Sequence, residues 1–167
     1  MRRWAGSAGV SFVPMAWNPR YAAAGPPSTG PVSGPLPWPT RADMPYNYTT
    51  DLAAVRAIVQ RYAVQAGLPE NRAIDLVLAV SEVAANTVRH AKSPGSLKIW
   101  YDANEIVCQI HDEGIIHDPL AGRRRPPVDA MGGHGLWIVH QVCDEVEMVS
   151  DETGTTIRLH MKLPGHR

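Results

Sequence analysis

The chain has 167 residues and equal numbers of basic and acidic side chains, 16 each, so its net charge is zero. That balance argues against a general nucleic-acid binder, which needs a basic excess to displace counterions. Hydrophobic residues make up 44%, too many for a wholly disordered chain, and no run approaches the roughly 18 apolar residues of a membrane span.

Composition breaks near residue 46. Residues 1–46 hold nine of the 15 Pro, five of the 14 Gly and three of the five Trp. Gly and Pro interrupt any apolar h-region after Arg2 and Arg3, which argues against a signal peptide. The stretch GPPSTGPVSGPLPWPTR (25–41) cannot form a helix interior or a central strand. This segment reads as a disordered or extended tail, with Trp4, Trp17 and Trp38 unusual for a pure linker. Residues 47–167 then form one folded domain, with a net charge of −3 and all seven His.

Thr50 is the expected N-cap of a first helix, with Leu52, Val55, Ile58, Val59, Tyr62 and Ala63 at helical spacing and Gly67 as its stop. Pro69 opens a second helix that runs to about Lys92, with Ile74, Val77, Leu78, Val80, Ala84, Ala85 and Val88 as its apolar positions. The period then changes to two. Residues 97–101 read as a strand, 102–104 as a turn and 105–112 as a second strand. Residues 113–132 form a long loop containing Arg123-Arg124-Arg125, of a length that usually carries function. A third helix covers about 135–144, and a hairpin follows over 146–150 and 155–163. The expected fold is α+β: a two-layer α/β sandwich, with helices on one face of a mixed, mostly antiparallel sheet. Cys108 and Cys143 sit among apolar residues and read as small buried hydrophobes.

Three clusters carry chemistry. Glu82, Asn86, Arg89 and His90 lie along one face of the second helix. An Asn amide oxygen suits Mg²⁺, which keeps waters and takes other ligands from phosphates. A Glu one turn earlier suits a base acting on a hydroxyl or water that attacks a γ-phosphate. The plain alternative is an ordinary solvated stripe. Asp112 and Gly114 end the second strand. A carboxylate there can accept from the exocyclic amine of adenine, while Asp-Glu-Gly is equally a simple reversal. The pairs His111-Asp112 and His117-Asp118 suggest a metal, but alternate strand residues face opposite ways. Gly132-Gly133-His134-Gly135-Leu136 leads into the third helix, where flexible glycines and free N–H groups suit an anion site, with a simple flexible hinge as the alternative. Arg123, on the loop, lies within reach of a γ-phosphate or an acidic partner if the loop closes.

Taken in order, these pieces resemble the GHKL ATPase superfamily of gyrase, heat-shock chaperone, histidine kinase and mismatch-repair ATPases. Glu82-x-x-x-Asn86 matches its N box, Asp112-x-Gly114 its G1 box, Gly133-x-Gly135-Leu136 its G2 box and Gly154-Thr155 its last box. The stretches LAVSEVAANTVRHA (78–91), DPLAGRRRP (118–126), GGHGLWIVHQVCD (132–144) and TGTTIRLHM (153–161) look like the bacterial anti-sigma factor/serine kinase branch. The resemblance implies a Bergerat-type fold that binds ATP with Mg²⁺. Glu82 is then the base, Asn86 the metal ligand, Asp112 the adenine reader, Gly133 and Gly135 the phosphate clamp, and Thr155 the support of Asp112. Gly114, Gly132, His134, Leu136, Arg89 and Arg123 join the nucleotide site. It also implies a cytoplasmic protein that sequesters a sigma factor, phosphorylates a Ser or Thr of a STAS-type anti-anti-sigma factor, and forms a homodimer, with no direct nucleic-acid or membrane partner. Ile116 departs from the pattern, standing where the G1 box carries its second glycine; that departure favours a non-catalytic binding module with a degenerate nucleotide site.

Overall fold

A computed structural model of the chain describes residues 45–91 and 93–165. The expected tail therefore lies outside the described residues, apart from Pro45 and Tyr46. In chain order the elements are β1 (Tyr46–Tyr48), α1 (Leu52–Ala66), α2 (Glu70–His90), β2 (Gly95–Tyr101), β3 (Glu105–Asp112), α3 (His134–Val142), β4 (Glu145–Asp151) and β5 (Gly154–Lys162). The strands form one sheet in the order β1-β2-β3-β5-β4, and each neighbouring pair is antiparallel. The α+β, helices-on-sheet architecture is the one read from the sequence, except that the sheet, expected to be mixed, is antiparallel at every pairing among the described residues.

Two details differ at the start. The α1 cap is Asp51, not Thr50: its carboxylate accepts the Ala54 N–H at 2.9 Å, one of the donors the first turn leaves unpaired. β1 was not foreseen. Three residues show no readable alternation, and they follow the Pro-rich stretch directly. β1 pairs with Gly95–Leu97 and seats Tyr48 on Gly95, where any Cβ would collide with the Tyr48 ring. That close approach explains a glycine opening β2.

α1 ends as expected at Gly67, whose φ of 83° lets the Leu68 N–H return to the Ala63 carbonyl at 3.0 Å, with Leu68 buried behind it. Val55, Val59 and Ala63 form its buried stripe. α2 starts after Pro69 and ends at His90, because Ala91 is already extended. Its buried face is rotated from the expected one. Ala73, Leu76, Ala79, Val80, Val83, Ala84 and Thr87 are buried, while Ile74 is 54% and Val88 38% exposed. The helix packs against α1, α3 and the sheet, and small Ala73, Ala79 and Ala84 permit that approach on several sides.

The helix-facing side of the sheet supplies Leu97, Ile99, Ile106, Cys108, Ile110, Ile157, Leu159 and Met161 to the core. Cys108 and Cys143 are free and buried, and burial pushes both thiols above their ordinary range, as inert core residues require. α3 is held by Arg72 of α2, which donates to the Val142 carbonyl at 2.9 Å and to Asp144 at 2.6 Å. Among the described residues, no helix is long and apolar enough to cross a membrane.

Candidate nucleotide-binding site

Three of the sequence clusters meet where the C-terminal half of α2, the end of β3 and the start of α3 come together. Asp112 closes β3 and pairs in register with Thr155 of β5. Its Oδ1 accepts the Gly114 N–H at 2.7 Å, and its Oδ2 accepts the Thr87 hydroxyl of α2 at 2.6 Å. The Thr87 hydroxyl in turn accepts from the Tyr48 phenol at 3.2 Å. Burial first, and then the nearby Asp112 charge, push the Tyr48 phenol up to about 12, so it keeps its proton and donates.

A second relay supports the turn from the other side. Thr155 Oγ1 donates to the Gly114 carbonyl at 2.7 Å. Its only proton being used there, it accepts from Ser150 Oγ at 2.8 Å, and Ser150 accepts the Ile116 N–H at 2.8 Å. Thr155 thus supports the Asp112 turn through Gly114, without bonding the carboxylate itself. Gly154 sits against this turn with φ of 130°, and a Cβ there would overlap the Asp112 carbonyl oxygen. The Ile116 side chain packs against the core. Thr87, Tyr48 and Ser150 were not singled out from sequence. Thr87 adjoins the Asn of the N box, but nothing in the helical period says that a hydroxyl there reaches a strand end.

Glu82 faces the start of α3. A Cβ on Gly135 would stand 2.7 Å from its Oε2, so the glycine makes room for the carboxylate. Burial raises the Glu82 pKa above its ordinary value, and the Arg89 charge partly opposes the shift. Arg89 Nη2 donates to Asn86 Oδ1 at 2.9 Å, and its Nε to the Ala85 carbonyl at 3.2 Å. Three of the four polar side chains of the α2 stripe, Glu82, Asn86 and Arg89, are therefore coupled, while His90 is exposed. An amide oxygen bonded to a guanidinium has a lone pair left for a cation, which fits a Mg²⁺ ligand completed by water and phosphates. Among the described residues, no three His, Cys, Asp or Glu side chains gather to hold a metal by themselves.

Gly133 caps α3 with φ of 83° and no side-chain bond; a Cβ on it or on Gly132 would meet nothing within 4 Å. His134 opens the helix, and Leu136 packs against the core. The loop 113–133 lies back along α3. Gly122, at φ of 79°, leaves no space for a Cβ, which would stand 2.6 Å from Leu136. The Arg125 guanidinium stacks over Trp137 at 5.8 Å. Burial, and next the Arg123 charge, lower the His140 pKa. Arg123 and Arg125 thus associate with α3 in this conformation, and Arg89 is the basic side chain joined to the Glu82–Asn86 stripe.

Residues 46–161 match the histidine kinase-like ATPase domain, and the chain belongs to that family. No curated protein matches it in sequence. In fold it is similar to the RsbU and RsbW domains of Rv1364c from Mycobacterium tuberculosis, at 18% identity and a TM-score of 0.53 over 74% of this chain and 34% of that one. The chain therefore spans about a third of that protein's length. It is also similar to a chain of the SiaB–SiaC complex from Pseudomonas aeruginosa, at 11% identity and a TM-score of 0.56 over 72% of this chain and 90% of that one.

Proposed function

We propose that this chain binds ATP and acts as an anti-sigma factor, holding a sigma factor and phosphorylating a Ser or Thr of a STAS-type anti-anti-sigma factor. The observation that carries the nucleotide reading is Asp112: a carboxylate at a strand end, gripped at both oxygens and still holding free lone pairs for an exocyclic amine. The uncapped glycine start of α3 supplies N–H groups for the phosphates. Asn86 would hold Mg²⁺, whose charge offsets that of the phosphates. Glu82, with its raised pKa, is the base for the incoming hydroxyl. The partners follow from the motif stretches 78–91 and 132–144, and the two similar folds are compatible with them.

One observation favours a second, non-catalytic reading. Ile116 replaces a glycine of the G1 box. In that case the chain binds its partner without transferring phosphate.

Titration of Mg-ATP and GTP into wild type, Asp112→Asn and Asn86→Ala, with phosphate incorporation into a STAS-type protein, separates the readings. We expect ATP to bind better than GTP, Asp112→Asn to lose about 10-fold or more in ATP affinity, and Asn86→Ala to lose both Mg-ATP binding and transfer. Equal affinity for ATP and GTP sinks the adenine assignment. Nucleotide binding without transfer to any such protein selects the non-catalytic reading.

A further inference from the structure

The buried Thr87 hydroxyl has no part in the N-box chemistry, yet it makes a short bond across to the strand that ends in Asp112. A helical Thr ordinarily returns its proton to a carbonyl of the preceding turn. Here that carbonyl, on Val83, lies at 3.4 Å, whereas Asp112 Oδ2 lies at 2.6 Å. The single hydroxyl proton therefore goes to the carboxylate. Thr87 is 2% exposed and Tyr48 3%, so water does not compete for either group. The chain of donors runs one way, from the Tyr48 phenol through Thr87 to Asp112, and the Gly114 N–H grips the other oxygen.

We propose that Thr87 is a positioning residue for base recognition: fixed by Tyr48, it holds the Asp112 carboxylate where it meets the exocyclic amine of adenine and not the N1–H and N2–H donors of guanine. The inference rests on the adenine reading proposed above. Adenine and guanine both present donors that a carboxylate can accept, so charge alone does not separate them. What separates them is where the carboxylate is held. An Asp side chain turns about two torsions, and a single bond to its own turn leaves one of them soft. The second grip, from a different element, removes that freedom. Tyr48 is itself placed by β1, the edge strand whose ring seat requires Gly95.

The test is the ratio of ATP to GTP affinity, measured by calorimetric titration on the full chain, for wild type, Thr87→Ser, Thr87→Val, Tyr48→Phe and Asp112→Asn, with thermal melts of each. Thr87→Ser keeps the hydroxyl and should keep the wild-type ratio. Thr87→Val keeps the shape without the donor, and its ratio should fall about 10-fold, through weaker ATP binding and stronger GTP binding. Tyr48→Phe should give an intermediate ratio. If Thr87→Val fails to fold, Tyr48→Phe and Thr87→Ser decide. A ratio unchanged in Thr87→Val or Tyr48→Phe while Asp112→Asn loses it overturns the role of Thr87 and leaves the adenine reading standing. A wild-type ratio near one, also unchanged in Asp112→Asn, overturns both.

Discussion

If the chain transfers phosphate as proposed, replacing Gly135 by Ala should raise stability while lowering that transfer. Gly135 lies in the first turn of α3 without a positive φ, so Ala fits its backbone. Helix propensity then favours Ala by up to about 1 kcal/mol, less at a terminus than at an interior position. The new methyl, however, would stand 2.7 Å from Glu82 Oε2, which is 0.7 Å short of the 3.4 Å at which ordinary contact begins. The carboxylate ends a flexible side chain and is the partner that yields. A displacement approaching 1 Å of a reacting group costs up to about 100-fold in rate. We therefore expect a melting temperature equal to or slightly above wild type, ATP affinity within about threefold, and transfer to a STAS-type protein reduced about 10- to 100-fold. The assay pairs a thermal melt with phosphate incorporation under saturating ATP. A variant that melts lower and transfers at the wild-type rate would falsify the steric argument, because it would place the need for glycine in the backbone.

Three further outcomes follow from the same geometry. Glu82→Gln should melt higher than wild type at neutral pH. A carboxyl whose pKa is raised on folding binds more protons folded than unfolded, so its contribution falls as pH rises above the ordinary 4.5, and the two proteins should converge as pH drops below that value. A constant difference across pH 4 to 8 would remove burial as the cause. Gly154→Ala should destabilise by about 2 kcal/mol or more, since φ of 130° is strained for Ala and the Asp112 backbone cannot retreat; an unchanged urea midpoint would contradict it. Removing residues 1–44 should leave the melting temperature unchanged, whereas a loss of several degrees would mean that Trp4, Trp17 or Trp38 docks on the domain.

Legibility from sequence tracked the range of the interaction. Gly67 and the period-two runs of β2 and β3 act within a few residues, and they stand where the pattern put them. The buried face of α2 was misjudged because the helix packs on several sides, so Ile74 and Val88, apolar and correctly spaced, still point outward. β1 was missed because its evidence lies in Gly95, nearly fifty residues away, as the seat of Tyr48. The candidate site divides likewise. Glu82, Asn86, Asp112 and the α3 glycines carry local signatures. Thr87 and Ser150 carry none, because a hydroxyl reads as surface until the partner strand is known. Arg123 reads from sequence as reaching a γ-phosphate or an acidic partner once the loop closes; in this conformation its charge acts on His140.

The two hydroxyl relays bear on the departure at Ile116. In a turn with two glycines the backbone is free to settle against a ligand. Here that freedom is replaced by anchoring. Thr87 and the Gly114 N–H fix the carboxylate, Thr155 fixes the Gly114 carbonyl, and Ser150 fixes the Ile116 N–H. A branched residue at 116 costs little once its backbone is bonded and its side chain packs on the core. The turn is thereby pre-organised, which lowers the entropy lost on binding and weakens the case that Ile116 by itself disables the site. Its effect falls on the loop that follows, since residues beyond 116 leave from a fixed point and run back along α3. Asp112, Gly114 and Ile116 thus form one anchored turn, which on the proposed function would serve as the platform for the base.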